Sequence, residues 1–138
     1  MRIVILTEGG SDIGLGHVVR CSALYQAFKR STGQAPEFLI HTEGGLDYRS
    51  RNIAWKECDS LSGQREVLAG IAPGDIAVVD SYRAPLSFYR ALYGVTRNLV
   101  CLDDNNRLAY PGGMVVNGGV HARRLGYKAR AGVRYLLG

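Results

Sequence analysis

Short apolar runs, each closed by a polar or glycine-rich stop, recur along the chain: Ile3-Val4-Ile5-Leu6, Glu37 to His41, Ile76-Ala77-Val78-Val79 up to Asp80, Asn98 to Leu102, and Met114-Val115-Val116. Runs of this length, apolar on successive rather than alternate positions, predict strands covered on both faces. Between them the spacing changes to that of a helix. Val18, Cys21, Tyr25 and Phe28 make one stripe over Val18 to Phe28, and Thr32-Gly33-Gln34 stops it. Gln64 to Ile71 predicts a short helix, Pro73-Gly74 a turn, and Pro85 to Tyr93 a helix with proline in its first turn. Residues 43 to 63 are rich in Gly, Arg, Asp and Ser and carry little periodicity; a short strand at Asn52 to Trp55 is the one element expected there. Buried strands alternating with helices predict an α/β fold: a Rossmann-like open parallel sheet with helices on both faces, spanning residues 1–138 as a single domain.

In such a sheet, ligands bind outside the carboxyl ends of the strands. The conspicuous polar groups fall at those ends: Gly9 to His17 after the first strand, Asp80-Ser81-Tyr82 after Val79, Asp103-Asp104 after Leu102, and Asn117 after Val116. Asp75 precedes its strand and is assigned to the opposite edge and to a turn. The glycine-rich segment Gly9-Gly10-Ser11-Asp12-Ile13-Gly14-Leu15-Gly16-His17 links a strand to a helix. Its glycines let a ligand approach the backbone, and the first helical amides suit an anion. His17 is a titratable group on that first turn, either a proton acceptor or a locally bonded helix-start residue. Arg20 lies on the same face as His17 and suits phosphate or a carboxylate partner. Asp103 and Asp104 fit either a binding role or a capping turn, and Asp80-Ser81-Tyr82 either a site or the N-cap of the Pro85 helix.

Composition narrows the classes. With 46% apolar and 21% charged residues, the chain is neither disordered nor fibrous, and no apolar stretch approaches the ~18 residues of a membrane span. The net charge of +5 favours an acidic partner, but the basic residues are dispersed (Arg49, Arg51, Arg123, Arg124, Lys128, Arg130, Arg134) without interleaved aromatics, which fits a phosphorylated metabolite better than nucleic acid. Cys21, Cys58 and Cys101 are odd in number and widely spaced, as reduced thiols of a cytoplasmic protein would be, and the amino terminus has no signal-peptide pattern. The segment Gly14-Leu15-Gly16-His17-Val18-Val19-Arg20 lacks the third glycine of the dinucleotide fingerprint, no Lys-Ser/Thr follows for a Walker loop, and there is neither a CxxC pair nor an HExxH. No cofactor and no metal are therefore expected.

The string Asp12-Ile13-Gly14-Leu15-Gly16-His17-Val18-Val19-Arg20-Cys21 resembles the G-x-G-H-x-x-R-C opening of the nucleotide-sugar hydrolases of pseudaminic acid biosynthesis and their relatives in spore-coat polysaccharide synthesis. The likeness continues in Val78-Val79-Asp80-Ser81-Tyr82, in Cys101-Leu102-Asp103-Asp104, in Val115-Val116-Asn117, and in Tyr127 followed by Tyr135-Leu136-Leu137-Gly138. Gly118-Gly119 depart from the family's L-N-x-N. These families are similar to the lipid II-forming N-acetylglucosaminyltransferase and share its two-domain GT-B architecture. The resemblance thus implies that this chain is an amino-terminal half whose partner domain, lying beyond residue 138, holds most of the uridine and diphosphate.

It further implies hydrolysis of a UDP-linked diacetamido-trideoxy sugar. His17 would activate water, Gly14, Leu15 and Gly16 would face the sugar or diphosphate, and Arg20, Asp80, Ser81, Tyr82, Asp103, Asp104 and Asn117 would contact substrate. A glycosyltransferase of the same fold and a non-catalytic sugar-binding module are the alternatives. The helix N-terminus is expected to depress the imidazole's basicity and keep His17 neutral.

Overall fold

The computed structural model describes residues 1–48, 52–58, 61 and 65–138. Seven strands, β1 (Ile3–Gly9), β2 (Glu37–Thr42), β3 (Lys56–Cys58), β4 (Ile76–Asp80), β5 (Asn98–Leu102), β6 (Gly113–Asn117) and β7 (Val133–Leu137), form one sheet in the order β3-β2-β1-β4-β5-β6-β7. Every pairing is parallel. The chain runs outward from β1 through β2 and β3, crosses back to β4, and runs outward the other way. This is a Rossmann-like α/β sheet, and its strand order reverses between β1 and β4, where the carboxyl ends open into a crevice.

Parity along the strands explains why the apolar runs are unbroken. Val4 and Leu6 of β1, Ala77 and Val79 of β4, Leu99 and Cys101 of β5 and Val115 of β6 pack with Val67 of α2 (Arg65–Ala69) and with Phe88, Tyr89 and Leu92 of α3 (Leu86–Val95). The alternate residues Ile5, Phe38, Ile40, Val78 and Leu102 pack with Val18, Cys21 and Tyr25 of α1 (Gly16–Thr32) on the other face. Helices therefore cover both faces. Helix α1 stops at Gly33, whose φ of 74° is one that residues with a Cβ rarely adopt. Among the described residues, no helix is long and apolar enough to cross a membrane.

Four boundaries differ from expectation. The strand expected at Asn52 to Trp55 lies at Lys56–Cys58 instead, a short edge strand paired with Leu39 to His41, while 52–55 is irregular. Lys56 and Glu57 are exposed there, so the segment carries no apolar signature. Helix α2 spans Arg65–Ala69, shorter than Gln64 to Ile71; Gln64 lies outside the described residues. Pro85 is the extended N-cap of α3 rather than its first residue. Strand β7 was not anticipated: Val133 and Tyr135 pack inward while Arg134 and Leu136 are exposed, the half-covered alternation of an edge strand.

The amino ends of β1 and β4 are tied by Asp75. Its carboxylate accepts the Arg2 backbone N–H at 2.9 Å, the Arg2 guanidinium at 2.7 and 3.2 Å, and the Ala72 N–H at 2.9 Å. This is the turn role assigned to it, at the edge opposite the glycine-rich segment.

Candidate functional site

Three backbone segments build the site at the β1/β4 switch point. Beyond β1 the chain makes a tight glycine turn, in which Gly14 N–H donates to Gly10 C=O at 2.7 Å and Gly10 N–H to Gly14 C=O at 3.2 Å. Gly10 and Gly14 have φ of 143° and 87°, and a Cβ on Gly10 would run into the Glu43 carbonyl. Glycine is needed at Gly10 because the loop after β2 lies against the turn; Glu43 N–H donates to Gly9 C=O at 3.2 Å. Helix α1 then starts with no side-chain cap and no acidic residue in its first turn, leaving its first amides for other acceptors.

His17, on that first turn, is 8% exposed, and its Nδ1 lies 2.7 Å from Asp80 Oδ1. Asp80 ends β4 and is fully buried. Arg20, one helical turn on, donates through Nε and Nη2 to the two Asp80 oxygens at 2.8 and 2.7 Å, and through Nη1 to Asp104 at 2.7 Å. Tyr82 donates its hydroxyl to Asp104 at 2.7 Å, and its ring stands edge-on to the imidazole with centroids 4.4 Å apart. Glu8, near the end of β1 and 1% exposed, accepts the Ser81 hydroxyl at 2.6 Å and the Tyr82 N–H at 2.7 Å. A cavity of about 450 Å³ opens here, lined by Glu8, Asp12, Ile13, Gly16, His17, Arg20, Tyr82, Arg83 and Asp104.

Burial pushes the Asp80 carboxyl up, but hydrogen bonds from His17 and Arg20 outweigh it and hold the group below its ordinary range. An ionised carboxylate only accepts, so His17 Nδ1 carries the proton and Nε2 is left as the basic nitrogen. The same hydrogen bond raises the imidazole pKa above 6.5 against the opposing effect of burial, with Glu8 adding to the rise. The expected depression by the helix terminus is thus overturned, because a buried carboxylate in contact outweighs partial charges at the end of a helix. The His17–Asp80 pair is a carboxylate-oriented imidazole, an arrangement that can take up a proton through Nε2. Asp104 is held low by Arg20 and then Tyr82, and Tyr82 is raised by Asp104.

The expected residues thus divide. His17, Gly16, Arg20, Tyr82 and Asp104 line the cavity, with Asp80 and Ser81 directly behind them. Ser81 also accepts N–H bonds from Arg83 and Ala84. Gly14 closes the turn, and Leu15 faces a neighbouring depression with Gly10, Ser11 and residues 44–47.

Asp103 and Asn117 belong to a second cluster about Tyr127. The Tyr127 hydroxyl donates to Asp103 Oδ2 at 3.2 Å and accepts from Asn117 Nδ2 at 3.0 Å. Asp103 also accepts N–H bonds from Asn105 and Arg107, the capping-turn reading of that residue. Glu8 and Arg83 are the lining residues not anticipated from the sequence, and Asp12 and Ile13 lie within the glycine-rich segment singled out there. Glu8 carried a usable signal: it continues the inward parity of Val4 and Leu6, so a glutamate there is buried at a strand end. Among the described residues, no group of three or more His, Cys, Asp or Glu side chains is disposed to hold a metal ion. No protein-family model, curated protein or solved structure matches the chain.

Proposed function

We propose that this protein is a nucleotide-sugar hydrolase of surface polysaccharide or nonulosonic acid biosynthesis, acting in the cytoplasm on a UDP-linked diacetamido-trideoxy sugar. One observation carries the reading: a buried aspartate orients an imidazole at the mouth of a cavity, at the switch point where sheets of this kind bind ligands. His17 Nε2 takes a proton from water as the water oxygen bonds to the anomeric carbon. The bond from that carbon to the β-phosphate oxygen breaks, and its electron pair leaves with UDP. Asp80 balances the imidazolium that forms. Glu8, Asp104 and the Tyr82 hydroxyl oxygen offer acceptors for sugar hydroxyls and amides. A second domain of the GT-B type would supply the facing wall and the uridine contacts.

The test is UDP release from the diacetamido-trideoxy sugar nucleotide, wild type against His17→Asn. Asparagine keeps much of the shape but takes no proton, so kcat should fall about 10²-fold or more with KM little changed. Near-normal turnover with a lowered melting temperature would make His17 a structural residue. Release that depends on an added sugar acceptor would turn the reading into glycosyl transfer, with the acceptor hydroxyl in place of water.

A further inference from the structure

Two arginines line the cavity, and their circumstances differ. Arg20 is spent: its fork holds both oxygens of fully buried Asp80 and a third bond goes to Asp104, so withdrawing it would strip a buried carboxylate of its cation. Breaking a buried pair of this kind by removing one partner is strongly destabilising. Arg83 sits at the rim, and its side chain is 47% exposed. Its one ion pair among the described residues joins Nη1 to Glu43, itself 39% exposed, on the loop that backs the glycine turn. Exposed pairs of this kind contribute little to stability. Glu43 also keeps a second partner when Arg83 leaves, since His41 Nε2 lies 3.4 Å from its other oxygen.

We infer that Arg83, not Arg20, is the phosphate-contacting residue of this cavity, and that it moves from Glu43 to the phosphate of an entering phosphate ester or diphosphate. This deepens the hydrolase reading and rests on it for the class of ligand. The remaining lining favours the assignment. Glu8, Asp12 and Asp104 are acidic, Arg20 is neutralised by two carboxylates, and the guanidinium of Arg83 is the cation that can turn toward an anion at small cost. Gly16 and His17, on the first turn of α1, line the same cavity.

Calorimetric titration of the protein with inorganic pyrophosphate, UDP and uridine tests the assignment, with a melting curve for each variant to show that it folds. Arg83→Gln should weaken pyrophosphate and UDP about tenfold, the loss of one charge-assisted contact. Arg83→Lys should recover part of that. Glu43→Gln should act in the opposite sense, tightening both by about two- to fivefold because the competing carboxylate is gone. Uridine binding should not change in either variant, and UDP binding more tightly than pyrophosphate would identify the nucleotide as the source of the phosphate.

A structural clasp would instead make both variants weaken binding together. That result overturns the assignment, as does an unchanged affinity in both variants, or wild-type protein that binds no pyrophosphate. The titrations read binding and the His17→Asn assay reads turnover, so Arg83-dependent binding with normal His17→Asn turnover would refute the hydrolase reading alone, and the reverse pattern would refute this inference alone.

Discussion

Strand β4 carries an aspartate at each end, and each is buried and gripped by the guanidinium of an arginine. At the amino end, Asp75 is 3% exposed and bound by Arg2; at the carboxyl end, Asp80 is 0% exposed and bound by Arg20. Both carboxyls are held below their ordinary range. The difference lies in the remaining donors. Asp75 accepts two backbone N–H groups, from Arg2 and Ala72, and so locks a turn to a strand. Among the described residues the Asp80 carboxylate accepts from side chains alone, one of them the imidazole of His17, which lines a cavity. An arginine–carboxylate fork by itself therefore marks no site; a titratable third partner facing open space does.

The largest expected effect is on stability. Asp80→Ala leaves His17 and the half-buried Arg20 without their shared anion and should lower the free energy of unfolding by about 3 kcal/mol or more in urea titrations. A loss under about 1 kcal/mol would mean that solvent replaces the carboxylate, and the contrast between the two ends would collapse.

Next in size is the pH profile. Folding raises the His17 pKa above 6.5, so its contribution to stability is complete below 6.5 and is lost as pH climbs through the raised value. Folding lowers Asp80 below 3.8, so its contribution is complete above 3.8 and is lost as pH falls through the lowered value. Stability from the pair is thus full between 3.8 and 6.5 and declines on both sides. Asp75, lowered from 3.8 by Arg2, contributes an acid limb and no neutral one. Melting temperatures of the wild type, Asp80→Asn and Asp75→Asn across pH 5 to 9 separate the two ends: the neutral limb should vanish in Asp80→Asn and survive in Asp75→Asn. In nuclear magnetic resonance titrations, the His17 midpoint should likewise fall in Asp80→Asn and stay in place in Asp75→Asn.

The smallest effect is Tyr82→Phe. The ring stays against His17 and only the bond to Asp104 is lost; Tyr82 is 45% exposed, so about 0.5 kcal/mol is expected in the same urea titrations. A loss above 2 kcal/mol would show that Asp104 is as firmly built into the fold as Asp80.

The two ends of β4 were legible in the sequence because the strand between them is apolar at every position and so announces its own limits. The same holds for β1, β5 and β6, whose faces are both covered. Strands β3 and β7 lie at the sheet edges, where one face meets solvent; their mixed composition hid the first by a few residues and the second altogether. The strand-end rule brought His17, Asp80, Ser81, Tyr82 and Asp104 together as neighbours, and helical spacing from His17 added Arg20. It could not separate them from Asp103 and Asn117, since sharing an edge says nothing about which loop a side chain satisfies. Arg83 went unnoticed because its place depends on Glu43, forty residues away in a stretch without periodicity.

The all-parallel order also governs how the chain can assemble. Strand β1 precedes the other named strands in the sequence and lies inside the sheet; β2 follows soon after it, but the partner on its other edge is β4, where Ile3 pairs with Ile76. During synthesis one edge of β1 therefore waits with unpaired amides until the segment around Ile76 has appeared. Contacts so distant along the chain close slowly and leave an adhesive edge meanwhile. Refolding from denaturant should accordingly be slow and sensitive to protein concentration, and β1 is the strand that chaperones would have most reason to shield.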